Sequence, residues 1–172
     1  INKIRFDPTN PREDDIDIRD IAHALSMMTR ANGHFTEFYS VARHSVNCAL
    51  EATARGYSKR VALFCLLHDS AESYIGDMTR PLKMHFPLFS EYEKKLQKVI
   101  FSKYATLDIA EDEKEKVKSV DDSLLYHEFL CYHGDKLFDF TTEIHIDVKD
   151  NSKNISETEK EFLCMYEALK IK

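Results

Sequence analysis

The stretch Leu66-Leu67-His68-Asp69-Ser70-Ala71-Glu72 sets a histidine beside an aspartate at the end of an apolar run, Ala62-Leu63-Phe64-Cys65-Leu66-Leu67. Such a run reads as a helix buried on most sides. An adjacent ionisable pair at its inner end is costly unless something compensates it. A divalent cation does so well, because neutral imidazole and carboxylate are both good ligands. Glu72 follows His68 by four residues and Asp69 by three, so one helical face would carry all three. That yields two candidate ligands and one candidate acid or base. The alternative is a helix end whose His and Asp satisfy each other and nearby backbone groups, and these residues alone leave both readings open.

Two further helices offer ligand types beside an apolar face. One is expected from about Glu37 to Arg55, with the stripe Phe38, Val41, Ala42, Val46, Ala49 and Leu50 and with His44 next to it. The other is expected from Glu111 to Cys131, with Val117, Val120, Leu124, Leu125 and Phe129 inward and Asp121 on that inner side. Two histidines and two carboxylates from separate helices suit one octahedral divalent ion with positions open for water and phosphate.

The remaining elements must position these groups. Residues 1–17, with two prolines and a run of acids, read as an irregular arm. A first helix begins near Asp17 to Asp20, where acids suit the N-terminal dipole, and ends by Asn32-Gly33. The helix carrying the His-Asp pair runs from the cap Ser58 to about Ser73, and a Gly- and Pro-containing turn follows to Lys83. Pro87 to Tyr104 is a fourth helix, with Leu88, Tyr92, Leu96, Val99 and Ile100 inward. A last helix starts at Ser156, where Glu159 completes a capping-box pattern, and turns Phe162, Leu163, Tyr166 and Leu169 inward. Between these, Phe138, Phe140, Ile144, Ile146 and Val148 alternate in part, which fits a short strand or an ordered loop.

Composition bounds the class. A chain of 172 residues is most simply one domain, 1–172, with a sizeable core. Four Gly and four Pro leave little material for a many-turned β fold, so the expectation is an all-α bundle of about six main helices. The net charge of −6 argues against stable nucleic-acid binding but leaves room for a small anionic ligand on local Arg and Lys. No apolar run approaches membrane-spanning length, and no signal-peptide layout is seen. Cys48, Cys65, Cys131 and Cys164 are widely spaced and read as reduced core thiols, so the expected location is the cytoplasm.

The order His44, then His68-Asp69, then Asp121 resembles the HD-domain metal-dependent phosphohydrolases. More closely, it is similar to their small helical group of bacterial 5′-deoxynucleotidases and phage-type deoxynucleoside triphosphohydrolases. The blocks RFDPTNP, DIDIRDIAHALS, Arg30 with Gly33-His34, YSVARHS, LLHDSAESYIGD, RPLK and VKSVD stand in family order over roughly residues 4 to 125. The resemblance implies that His44, His68, Asp69 and Asp121 hold one divalent metal, whether Mn, Co, Fe, Ni, Mg or Zn. Asp121 rather than Asp122 matches, because the family aspartate follows a Val-Lys-x-x lead-in. It further implies that Glu72 handles the nucleophilic water, with Asp77 nearby. Arg30, His34 and Lys83 would contact the substrate, and His23 falls in a family-like block near the same cleft.

The activity so implied is cleavage of the 5′-phosphate ester of 2′-deoxynucleotides. The leading form is release of tripolyphosphate from a dNTP, dATP first, with a second Mg on the substrate. The alternatives are release of orthophosphate from dNMPs and a non-catalytic nucleotide- or metal-binding module. The resemblance also implies a homo-oligomer, in a bacterial cell or, if phage-encoded, its host. Two positions depart from the family pattern. Arg43 stands where an acidic or polar residue is common, and Ala31 stands where an aromatic often meets the sugar or base.

Overall fold

The computed structural model describes residues 5–105, 109–137, 139, 141–148 and 154–171. Among them the regular structure is helical, apart from one isolated antiparallel bridge between Thr29 and Ser40. Six longer helices are α1 (Ile18–Met27), α2 (Val41–Ala54), α3 (Lys59–Leu67), α6 (Pro87–Ala105), α7 (Glu111–Tyr132) and α8 (Ile155–Leu169). Two single turns, α4 (Glu72–Ile75) and α5 (Arg80–Lys83), lie between α3 and α6. The all-α bundle expected from composition is what forms, and none of these helices is long and apolar enough to cross a membrane.

The bundle is built on α3. Ser58 caps it, accepting from the Val61 N–H at 3.2 Å. Every residue from Val61 to Leu67 is buried, as a helix apolar on all sides requires. Burying each Leu or Phe stabilises the fold by roughly 1.5–3 kcal/mol. Helices α2, α6, α7 and α8 pack around α3, and α1 closes the bundle against α2 and α8. Helix α8 carries a capping box two residues earlier than expected. Asn154 Oδ1 accepts from Glu157 N–H at 3.0 Å, and Glu157 Oε2 accepts from Asn154 N–H at 2.9 Å.

Several boundaries differ from the sequence expectation. Helix α1 stops at Met27, because the next residues extend and pair with the chain entering α2. Arg30 N–H donates to Tyr39 O at 2.8 Å and Val41 N–H donates to Met28 O at 3.0 Å. That pairing delays α2 from Glu37 to Val41, with Ser40 as its cap. Phe38 and Leu50, expected inward, are exposed, and so is Leu88 at the start of α6. Of the alternating residues 138–148, Phe138 and Phe140 lie outside the described residues. Ile144, Ile146 and Val148 lie in an ordered loop rather than a strand, tied down by Tyr132 Oη to Val148 O at 2.8 Å. The N-terminal arm lays Phe6 on Tyr74, with ring centroids 4.2 Å apart.

Candidate metal and phosphate site

The apolar pattern runs without interruption through the His-Asp pair, yet the helix does not. Leu67 is the last residue of α3; tight turns follow, with Ser70 N–H on Leu67 O at 3.1 Å and Glu72 N–H on Asp69 O at 3.0 Å. The expectation that His68, Asp69 and Glu72 share one helical face is therefore corrected: the pair sits in a break, and Glu72 opens α4. Gln97 of α6 spans this break. Its Nε2 donates to Leu67 O at 2.7 Å and its Oε1 accepts from Ala71 N–H at 3.0 Å. Ala71 N–H thus finds its partner, and Leu67 O gains a second beside Ser70 N–H.

Four side-chain atoms converge beside this break. His44 Nε2 lies 3.3 Å from His68 Nε2 and 3.2 Å from Asp121 Oδ1. His68 Nε2 is 3.2 Å from Asp69 Oδ2, and His44 Nε2 is 3.9 Å from that same oxygen. The other nitrogen of each ring is occupied. His44 Nδ1 is 2.6 Å from Glu128 Oε1, and His68 Nδ1 is 2.7 Å from Cys65 O. Both acceptors call for a proton on Nδ1, which leaves each Nε2 as a lone pair. Two lone pairs and two carboxylates then face each other, an arrangement that needs a positive charge at its centre. Burial and, for His44, Arg30 oppose charge on the imidazoles, but the surrounding carboxylates prevail and raise both above their ordinary value. Asp69 and Asp121 are held well below the usual range; burial opposes this, and the two histidines outweigh it.

His44, Cys48 and His68 could also hold a metal ion, since one ligand atom from each lies within 4.8 Å of the others. Cys48 Sγ is 3.4 Å from His44 Nε2. Burial pushes its thiol well above the ordinary value, and Asp121 pushes it further, although a metal bound there would itself draw off the thiol proton.

Glu128 ties the site to the core, and the sequence reading missed it. Its buried carboxylate accepts from Tyr39 Oη at 2.9 Å and meets Arg30 Nη2 at 3.4 Å, while Asn47 Nδ2 donates to Tyr39 Oη at 2.8 Å. The signal was available, for Glu128 lies seven residues after Asp121, two turns along the same face of α7. Arg30 bridges Glu128 and Asp69, the latter at 3.3 Å. Its loop is strained: Ala31 and Asn32 take φ of 51° and 49°, the left-handed region that costs a residue with a Cβ about 1–2 kcal/mol.

The other candidates are placed as follows. Glu72 is buried, its Oε2 has no hydrogen-bond partner, and its carboxyl is pushed up to about 10 by burial, with Asp69 and Asp77 adding to the effect. Asp77 is partly buried, within electrostatic range of Glu72. Lys83 pairs with Glu93 at 2.6 Å and also acts on Glu72. His34 is exposed, and His23 pairs with Glu159 at 2.9 Å on α8. Arg80 reaches Asp121 Oδ2 at 2.6 Å and Asp122 Oδ1 at 2.9 Å. Arg43 neither meets the site nor points to solvent: it is buried against α8, 2.7 Å from Glu161.

No family model matches the chain. Among curated proteins it is 40% identical over 92 residues to the uncharacterized protein YfdR of Escherichia coli, covering 54% of this chain and 49% of that one. It is 44% identical over 84 residues to an uncharacterized protein of Rhodobacter capsulatus, 46% of this chain and 42% of that one. Over 95 residues it is 30% identical to the 5′-deoxynucleotidase yfbR of Photorhabdus temperata, 49% of this chain and 48% of the relative. The chain thus spans about half the length of the curated relatives it matches.

Proposed function

We propose that this chain is an HD-type, divalent-metal-dependent phosphohydrolase acting on the 5′-phosphate ester of deoxynucleotides, with His44, His68, Asp69 and Asp121 as the metal ligands. The observation that carries this reading is the convergence of two imidazole lone pairs and two carboxylates, with both Nδ1 atoms already engaged. The partial similarity to a 5′-deoxynucleotidase supports nucleotide phosphate as the substrate class.

A bound divalent cation supplies Lewis-acid polarisation of a phosphate oxygen and an acidified water. The protein's own groups do the rest. Glu128 and Cys65 O hold the two imidazoles in the tautomer that offers Nε2. The bare Glu72 Oε2 is the acceptor for the water's proton. Burial is the main cause that raises Glu72; positive charge held by Asp69 would offset one of the two carboxylates that add to it, favouring the ionised carboxylate that can accept that proton. Arg30 and Arg80, each held beside a ligand carboxylate, are placed to take up phosphate charge.

Two substrates fit this reading. The relative named a 5′-deoxynucleotidase favours the monophosphate, and a lysine-rimmed groove beside the site favours the triphosphate. The test is product identification with Mn²⁺-loaded protein and each dNTP and dNMP. Deoxynucleoside should appear with tripolyphosphate or orthophosphate, and not with a His68→Ala/Asp69→Ala variant. Stoichiometric metal without turnover of any deoxynucleotide overturns the proposal.

A further inference from the structure

Asp69 and Asp121 each face two histidines and an arginine, but they divide their oxygens differently. Asp121 turns Oδ1 toward His44 Nε2 at 3.2 Å and His68 Nε2 at 3.7 Å, and gives Oδ2 to Arg80 at 2.6 Å. Asp69 puts both duties on one atom. Its Oδ2 lies 3.2 Å from His68 Nε2 and 3.9 Å from His44 Nε2, and the same Oδ2 accepts from Arg30 Nη1 at 3.3 Å. Arg80 can therefore keep its partner when a cation joins the two imidazoles, whereas Arg30 stands on the oxygen that faces them. Two cations sharing one carboxylate oxygen repel, most strongly where water is excluded.

The rest of Arg30 is anchored. Its side chain is nearly closed to solvent; burial works against its charge, and Glu128, Asp69, Asp121 and Glu72 outweigh that cost. Nη2 meets Glu128 Oε2 at 3.4 Å, and Glu128 is itself held by Tyr39 Oη at 2.9 Å. Tyr39 also pins the backbone, since Arg30 N–H donates to Tyr39 O at 2.8 Å. One side of the guanidinium is thus fixed, and the contact to Asp69 is the one open to exchange.

We propose that Arg30 is a metal-released arm: it holds Asp69 Oδ2 until a divalent cation takes that oxygen, and only then offers Nη1 to the substrate phosphate. The inference rests on the metal-dependent phosphohydrolase reading above and adds an order to it, cation before phosphate.

The test uses Arg30→Gln, Arg30→Lys and Arg80→Gln in the full chain, with folding checked by circular dichroism and free Mn²⁺ counted by electron paramagnetic resonance. Arg30→Met takes the place of Arg30→Gln if the amide variant does not fold. Arg30→Gln is expected to bind Mn²⁺ at least tenfold tighter than the unaltered chain. Arg30→Lys, which keeps the charge, and Arg80→Gln should both stay within threefold. The sign separates this role from a structural one, because removing an arginine that merely braced Asp69 and Glu128 would loosen Mn²⁺. Calorimetric titration of inorganic phosphate gives the second readout. Arg30→Gln should weaken phosphate at least tenfold in Mn²⁺-loaded protein and less than twofold without Mn²⁺; no binding by either form without Mn²⁺ meets the same expectation. Mn²⁺ affinity that is unchanged or lower in Arg30→Gln, or an equal rise in Arg30→Lys or Arg80→Gln, overturns the arm. So does an equal phosphate loss with and without Mn²⁺, or no phosphate binding by the unaltered Mn²⁺-loaded chain. These outcomes leave the metal site standing. If the unaltered chain binds no Mn²⁺, the metal-dependent reading itself fails and the arm falls with it.

Discussion

Glu128 Oε1 lies 2.6 Å from His44 Nδ1, and both side chains are closed to solvent. The contact fixes the ring so that Nε2 faces Asp121, and it gives the buried Arg30 one of its two counter-charges. Glu128→Leu should therefore do two things. Leaving Arg30 with Asp69 alone should destabilise the fold by about 3 kcal/mol, the scale for breaking a buried pair. Releasing the imidazole should weaken Mn²⁺ binding by roughly 10–100-fold. Glu128→Gln, which can still accept from His44, should fall between the two. Denaturant unfolding and metal titration check both effects.

Gln97 should matter more than a partly exposed glutamine usually does. Gln97→Leu strips Ala71 N–H of its partner and Leu67 O of one of its two, Ser70 N–H remaining, at the break that carries His68 and Asp69. Each group left unsatisfied costs about 1–3 kcal/mol. Metal affinity should fall with stability, and Gln97→Glu, which keeps the acceptor for Ala71, should lose less of both.

Glu72→Gln should abolish turnover while metal binding survives, because the amide cannot take the proton from water. In the metal-depleted protein it should also change the pH dependence of stability. The folded carboxyl is raised above its unfolded value, so between the two the folded state holds the extra proton and stability falls as pH rises. Denaturant unfolding at pH 5.5 and 8.5 should show the wild type losing ground to Glu72→Gln as pH increases. A gap that does not change with pH contradicts this.

Glu51 gives the opposite sign. Its buried carboxylate meets His145 Nδ1 at 2.8 Å and accepts from Arg55 Nε at 2.7 Å and from His145 N–H at 2.8 Å. Burial raises it, but these bonds prevail and hold it below the usual range. Its stabilising contribution is thus present above the unfolded carboxylate value, about 4.3, and is lost as pH falls through the lower folded value. Glu51→Gln should be less stable than wild type at pH 7, with the deficit shrinking below about pH 4, as followed by thermal unfolding.

What sequence could and could not reveal follows from the range of the interactions involved. Helices α3, α6, α7 and α8 were legible because their apolar period is local; Asp121 stands on α7, His68 and Asp69 follow the end of α3, and His44 stands on α2, whose start alone was misplaced. The break after Leu67 was not legible, because the groups that satisfy it belong to Gln97, 30 residues further along the chain. The early end of α1 was hidden for the same reason, since it depends on pairing with Tyr39 and Val41. Arg43 follows Ala42 and precedes His44 on α2, and only the packing of α8 shows that it is buried against Glu161 rather than in solvent.

Restoration of activity by metal addresses the central claim most directly. Chelator-treated protein would be given Mn²⁺ in steps, with deoxynucleoside release from dATP and dAMP followed at each step. The expected result is no turnover without metal and a rate that saturates at one equivalent per chain. Turnover that survives complete metal removal, or a full equivalent of bound metal with no turnover, would contradict it.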